Sequence, residues 1–113
     1  MKRYCLALDL KDDPELIEQY ERHHRHVWPE IKESILSSGI LKLEIFRVHD
    51  RLFMILEAED DFSFEEKALR DRQNPIVREW ETLMWTFQKP MPWAVAGEKW
   101  QLMDKICEIS RTR

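Results

Sequence analysis

Cysteine is scarce in this 113-residue chain: only Cys5 and Cys107 occur, at opposite ends. Two thiols are too few for the disulfide scaffolds that staple small secreted domains, and a chain of this length buries roughly two thirds of its unfolded surface, enough for one two-layer core. Both thiols are expected free and buried, in strand-like segments, which fits a reducing cytoplasm. Long apolar runs are absent too. None approaches the roughly 20 residues of a membrane-spanning helix, and the short apolar run of "MKRYCLALDLKDD" alternates and meets acidic residues without a small-residue cleavage site, so it reads as mature structure. There is no basic tract. With 22 acidic against 18 basic residues and a net charge of -4, neither nucleic acid nor an anionic membrane is an expected partner, and a small neutral ligand fits better. HExxH, CxxC and nucleophile-elbow patterns are missing, as are repeats, linkers and low-complexity tracts, so residues 1–113 read as a single domain.

What is present is periodic. Tyr4, Leu6, Leu8 and Leu10 alternate with Cys5, Ala7 and Asp9, a period of two that predicts a strand with one apolar face. Asp12 and Asp13 before Pro14 open a helix that runs into the histidines; Pro29 disfavours helical geometry at Trp28, so the helix restarts there and stops at Gly39. Strands are expected over 40–49 and 51–59, joined through Asp50 as a hairpin, the second apolar at both parities and so covered on both faces. Helical patterning returns over 63–72 and after Asn74 and Pro75, with Pro90 and Pro92 ending it. "PMPWAVAGE" then reads as a loop, and "KWQLMDKICEI" as the last strand. The order β, α, β, β, α, β predicts an α+β ferredoxin-like sandwich with helices on one side of an antiparallel sheet. Leu6, Leu8, Leu43, Ile45, Phe53 and Ile55 mark an apolar sheet face too extensive for a monomer, which predicts a symmetric dimer.

The chemistry concentrates in "YERHHRHVWPEI", residues 20–31. Tyr20 and His24 are four residues apart on one helical face, in line with Ile17 and Val27, so that face points inward. His23 is rotated by about 100° from His24 and His26 by about 200°, so the three imidazoles do not converge on one cavity. A metal would want three or four ligands, and His23 with His26 supplies a pair at most. A nucleophile would need a cysteine or serine beside a histidine. General acid/base catalysis needs only one imidazole titrating near neutrality and aromatic walls around an uncharged substrate; a histidine satisfied by backbone in a helix–sheet interface is the structural alternative. Of the five tryptophans, Trp28 and Trp100 read as core, while Trp80, near a helix entrance and on one face with Met84, can offer a flat wall to a sugar or pack as core.

Taken together, "YERHHRHVWPEI" followed by Gly39, then "NPIVREWETLM" and "EKWQLMDKICEI", resembles the L-rhamnose mutarotase family over essentially the whole chain, through Tyr20, His24, Trp28, Pro29 and Glu30. The resemblance implies a dimeric ferredoxin-like α/β barrel that interconverts the α and β anomers of a 6-deoxy sugar, with no metal or organic cofactor. It puts His24 on the family's proton donor and Tyr20 on a substrate-contacting tyrosine. The chain departs from the family at the sugar: Glu79 and Trp80 stand where rhamnose-acting members carry two tryptophans, and Leu43 where they carry a tyrosine. Tyr20, Leu43, Glu79 and Trp80 are therefore the expected substrate contacts, His24 the catalytic residue, and L-rhamnose or L-fucose the expected sugar. A dimeric α/β-barrel binding or stress-response module with a merely structural His24 is the alternative from another class.

Overall fold

The computed structural model describes residues 1–111 and has the α+β order read from the periodicities. Strand β1 (Lys2–Leu10) is central: it pairs antiparallel with β3 (Arg51–Ala58) along one edge and with two short strands, β4 (Gln88–Lys89) and β5 (Gln101–Leu102), along the other. β2 (Ile40–Val48) completes the sheet beside β3, giving the order β2-β3-β1-β4 with β5 next to β1. The pleat sends Leu6, Leu8 and Leu10 to one side, opposite Met54 and Leu52 of β3, and all five are buried.

Four helices cover that side. α1 (Pro14–Arg25) starts at Asp13, whose carboxylate accepts from the backbone N–H of Glu15 and Leu16 while Pro14 occupies the first turn. The chain turns extended at Trp28 and restarts at Pro29 as α2 (Pro29–Ser37), and Gly39 then takes the left-handed conformation (φ 98°) that ends helices. α3 (Phe64–Gln73) is capped by Ser63, and α4 (Pro75–Trp85) by Asn74. Two apolar clusters result, one joining Leu10 and Leu52 to Tyr20, Ile31, Val77, Trp80 and Met84, the other joining Leu6, Met54 and Leu56 to Ile40 and Phe62.

Several expectations are corrected. The β2–β3 turn is His49–Asp50, and the positive φ (50°) favoured in two-residue hairpins is carried by His49. α4 stops at Trp85, before the prolines, and residues 88–89 already pair with β1. The last strand is cut to Gln101–Leu102, followed by one further bond from the Met103 N–H to the Cys5 carbonyl (2.8 Å); the described residues beyond it run exposed, with Ile106 95% and Ile109 93% accessible. Cys5 is half-buried and Cys107 exposed, so both thiols are free but neither is fully buried. The apolar set named from the sequence splits by register: Leu6, Leu8, Leu43 and Ile45 face the helices, and Phe53 and Ile55 face the other way. That uncovered face also carries Cys5, Ala7, Phe46 and Val48, flanked by the cross-strand pairs Asp9–Arg51 and Arg3–Glu57. Among the described residues no helix is long and apolar enough to cross a membrane.

A bulge at Leu41 has a consequence for the interior. One extra residue in β2 between Ile40 and Lys42 shifts the pleat, so Ile40 and Leu43, three residues apart, both face the helices while Leu41 is turned out.

Asn74 holds the break between α3 and α4: its Oδ1 accepts from the N–H of Ile76 (3.0 Å) and Val77 (3.3 Å), and its own N–H closes α3 on Asp71. Asn74→Ala should lower the urea unfolding free energy by about 1 kcal/mol, and Asn74→Asp, which keeps the acceptor, should recover most of it. Equal losses in the two variants would deny the cap its role.

Candidate active site

Between the sheet and the helices lies a cavity of about 540 Å³, within the range of small-molecule sites. Its floor is the helix-facing side of the sheet, with Leu6, Ile40, Leu43, Ile45, Met54 and Leu56. Its walls come from α1 and α2 on one side, from α3 and α4 on the other, and from Gln88, Lys99 and Trp100 at the β4–β5 edge. Lining this mostly apolar space, Tyr20, His24 and Gln88 form a small polar group.

α1 brings Tyr20 and His24 together because four residues make about one turn. Their rings lie 4.2 Å apart, centre to centre, and His24 meets Trp80 edge-to-face at 5.7 Å. Trp80 in turn packs against Trp28 at 5.0 Å. The imidazole is held by its own helix: His24 Nδ1 lies 2.9 Å from the Tyr20 carbonyl oxygen. A carbonyl can only accept, so Nδ1 carries the hydrogen and Nε2 is the nitrogen left for a ligand.

Burial acts on both groups in the same sense. It lowers the His24 pKa from its ordinary value, outweighing the backbone hydrogen bond that raises it, while the neighbouring His23 lowers it further. It pushes the Tyr20 phenol up to about 12, partly offset by the hydrogen bond from Gln88 and reinforced by the Glu81 carboxylate. Near neutral pH the cavity therefore holds an uncharged imidazole beside an intact phenol. Lys99 closes one wall, donating to the Glu81 carboxylate (2.6 Å) and lying 4.8 Å from the Trp85 ring centre.

Of the residues expected from the sequence, Tyr20, His24, Leu43 and Trp80 line this one cavity. Glu79 does not: it is exposed on α4, about 100° around the helix from the buried Trp80, and the carboxylates at the cavity are Asp71 and Glu81. His23 packs on Phe87 and His26 is exposed, so neither joins His24. Among the described residues, the three-donor cluster that could hold a metal is Asp12, His49 and Asp50, outside this cavity. Gln88, Lys99 and Trp100 were not singled out as ligand contacts. Their positions depend on an edge pairing that local periodicity does not announce.

A family profile described as L-rhamnose mutarotase matches residues 3–109. An L-fucose mutarotase from Xanthomonas campestris pv. campestris is 47% identical over 112 residues, covering 97% of this chain and 90% of its own. An L-rhamnose mutarotase from Enterococcus faecalis is 31% identical over 85 residues, covering 74% of this chain and 75% of its own. The crystal structure of an L-rhamnose mutarotase from Formosa agariphila superposes with a TM-score of 0.71 at 18% identity, covering 97% of this chain and all of that one, which shows a shared fold.

The held imidazole makes a spectroscopic prediction. Nitrogen-15 NMR should show the His24 Nδ1 protonated and Nε2 unprotonated at neutral pH, with titration below the ordinary histidine range of about 6.5. A titration above that range, or the opposite tautomer, would contradict the geometry.

Proposed function

Because the chain belongs to the L-rhamnose mutarotase family, a family of sugar mutarotases, we propose that it interconverts the α and β anomers of a 6-deoxyhexose, with L-fucose preferred to L-rhamnose. The observation that carries this reading is the shared cavity of Tyr20 and His24, a neutral, oriented imidazole beside a protonated phenol in apolar surroundings. Mutarotation needs little else. His24 Nε2 takes the proton of the anomeric hydroxyl, the bond from C1 to the ring oxygen breaks, and the imidazolium returns its proton to that ring oxygen. Both oxygens sit on the same carbon, so one nitrogen can serve both. After rotation about the C1–C2 bond the steps reverse and the ring closes on the other face. Protons are all that is exchanged, and the chemistry calls for neither metal nor organic cofactor.

Tyr20 supplies a hydroxyl to orient the sugar, and Trp80 a flat wall for its C–H face. The apolar floor suits a C6 methyl group. Leu43 on that floor offers no hydroxyl where rhamnose-acting relatives carry a tyrosine, and this difference, with the Xanthomonas relative's activity, supports L-fucose over L-rhamnose.

Saturation-transfer NMR on L-fucose, L-rhamnose, D-galactose and D-glucose tests the reading, since it detects anomer exchange at equilibrium. L-fucose should exchange fastest, and His24→Ala should slow it by about 10²- to 10⁴-fold with unchanged circular dichroism. His23→Ala should stay within a few-fold of the wild type. The working form of His24 is unprotonated and its pKa is lowered, so kcat/KM should be flat near neutrality and fall as pH drops through a value below 6.5. Equal rates for the two histidine variants, or inactivation by a chelator, would overturn the assignment.

The same reading includes a homodimer. The uncovered stripe of Ala7, Phe46, Phe53, Ile55 and Val48 is the surface for a second copy, and the exposed Ile106 and Ile109 extend what the copies can bury. Light scattering at micromolar concentration should give twice the chain mass, and Phe53→Asp should give a monomer. A wild-type monomer would end this part of the proposal.

A further inference from the structure

Gln88 is buried to 4% exposure in a two-residue strand, the buried polar side chain that stands apart from an otherwise apolar interior among the described residues. The backbone of β4 accounts for its position opposite Leu10 but not for its amide. Gln88 Nε2 donates to the Tyr20 phenolic oxygen at 3.5 Å, a long contact across 68 residues of chain, and Gln88 Oε1 is buried with no hydrogen-bond partner. An amide offers two donors and an acceptor with two lone pairs, of which Tyr20 takes one. The Oε1 end lacks a protein partner, and buried groups of this kind are rare unless something else satisfies them.

The side chain lines the same cavity as Tyr20, His24, Leu43 and Trp80. We propose that Gln88 is a sugar-contacting residue that selects hydroxyl configuration, its free amide end pairing with the ring hydroxyl at C2 or C4. These are the two carbons at which L-fucose and L-rhamnose differ in configuration, so a fixed polar group reading either one discriminates between them. Because Gln88 also donates to the Tyr20 oxygen, the phenolic hydrogen is left free for a neighbouring sugar oxygen. The two side chains then present a donor and an acceptor side by side, as adjacent hydroxyls require. The inference rests on the mutarotase reading and deepens it.

Anomer exchange of L-fucose, 2-deoxy-L-fucose and 4-deoxy-L-fucose by the wild type, Gln88→Leu and Gln88→Met separates the possibilities. Both variants keep an apolar chain of similar volume without the amide, so one can stand in if the other folds poorly. Loss of one hydrogen bond should reduce kcat/KM for L-fucose by roughly 10- to 100-fold. For the deoxy sugar lacking the hydroxyl that Gln88 reads, variant and wild type should agree within about threefold, and that sugar identifies C2 or C4. A uniform loss on all three sugars would make Gln88 only a support for Tyr20, and no loss would remove it from the site; either overturns this inference while leaving the mutarotase reading intact. Absence of exchange by the wild type on every sugar would overturn both.

Discussion

The pleat of β1 is the constraint from which the rest follows. Leu6, Leu8 and Leu10 must leave water together, and β1 is paired on both edges, so the only remedy is a layer laid over one face. The four helices provide that layer, but each helical stretch is broken by a proline, at Pro29 and at Pro75. The space left between the layers is the cavity, and Tyr20, His24, Trp80 and Gln88 are among the side chains at its walls.

Burial in that cavity performs two pieces of chemistry at once. It disfavours charge, so it lowers the His24 pKa and raises that of Tyr20, holding both near their neutral forms. In the proposed reaction an uncharged sugar meets an imidazole whose lone pair is available and a phenol whose hydrogen is retained. The hydrogen bond from His24 Nδ1 to the Tyr20 carbonyl fixes which nitrogen is available, so the helix backbone itself selects the tautomer. Of the charged side chains at the wall, Lys99 is paired with Glu81 and Lys67 with Asp71, which limits the field these pairs impose on the interior.

Gln88 and the β4–β5 edge complete this arrangement from a distant part of the sequence. Residues 90–100 leave the sheet between the two short strands and return, which brings Trp100 and Lys99 to the wall and leaves Gln88 beside Tyr20. The outer face of the sheet shows a different balance. There the charge pairs Asp9–Arg51 and Arg3–Glu57 flank an apolar centre rather than covering it, a pattern closer to an interface with a polar rim than to an ordinary solvated face.

Tyr20 and His24 were legible from spacing alone, since an i, i+4 pair shares a face in any α-helix, and the caps at Asp13 and Asn74 with the prolines after them are equally local signals. Trp80 followed from the same rule. Glu79 did not, because a family position was carried to a residue that the helix turns away from the cavity. Leu43 was expected at the site from the resemblance, but the strand pattern alone could not put Ile40 on its side, since that depends on a bulge opposite Glu57 and Ala58. The shortened last strand shows the converse: "KWQLMDKICEI" has strand-like composition throughout, yet it pairs with β1 over Gln101–Leu102 and leaves that edge after Met103 bonds to Cys5, so composition alone does not set a strand's length. The sequence by itself determined the helices, the first three strands, their order and the inward face of α1, because these depend on contacts within a few residues. The tertiary structure decided the cavity, the Gln88–Tyr20 contact and the split of the sheet's apolar residues between two faces, because each requires groups far apart in the chain to meet.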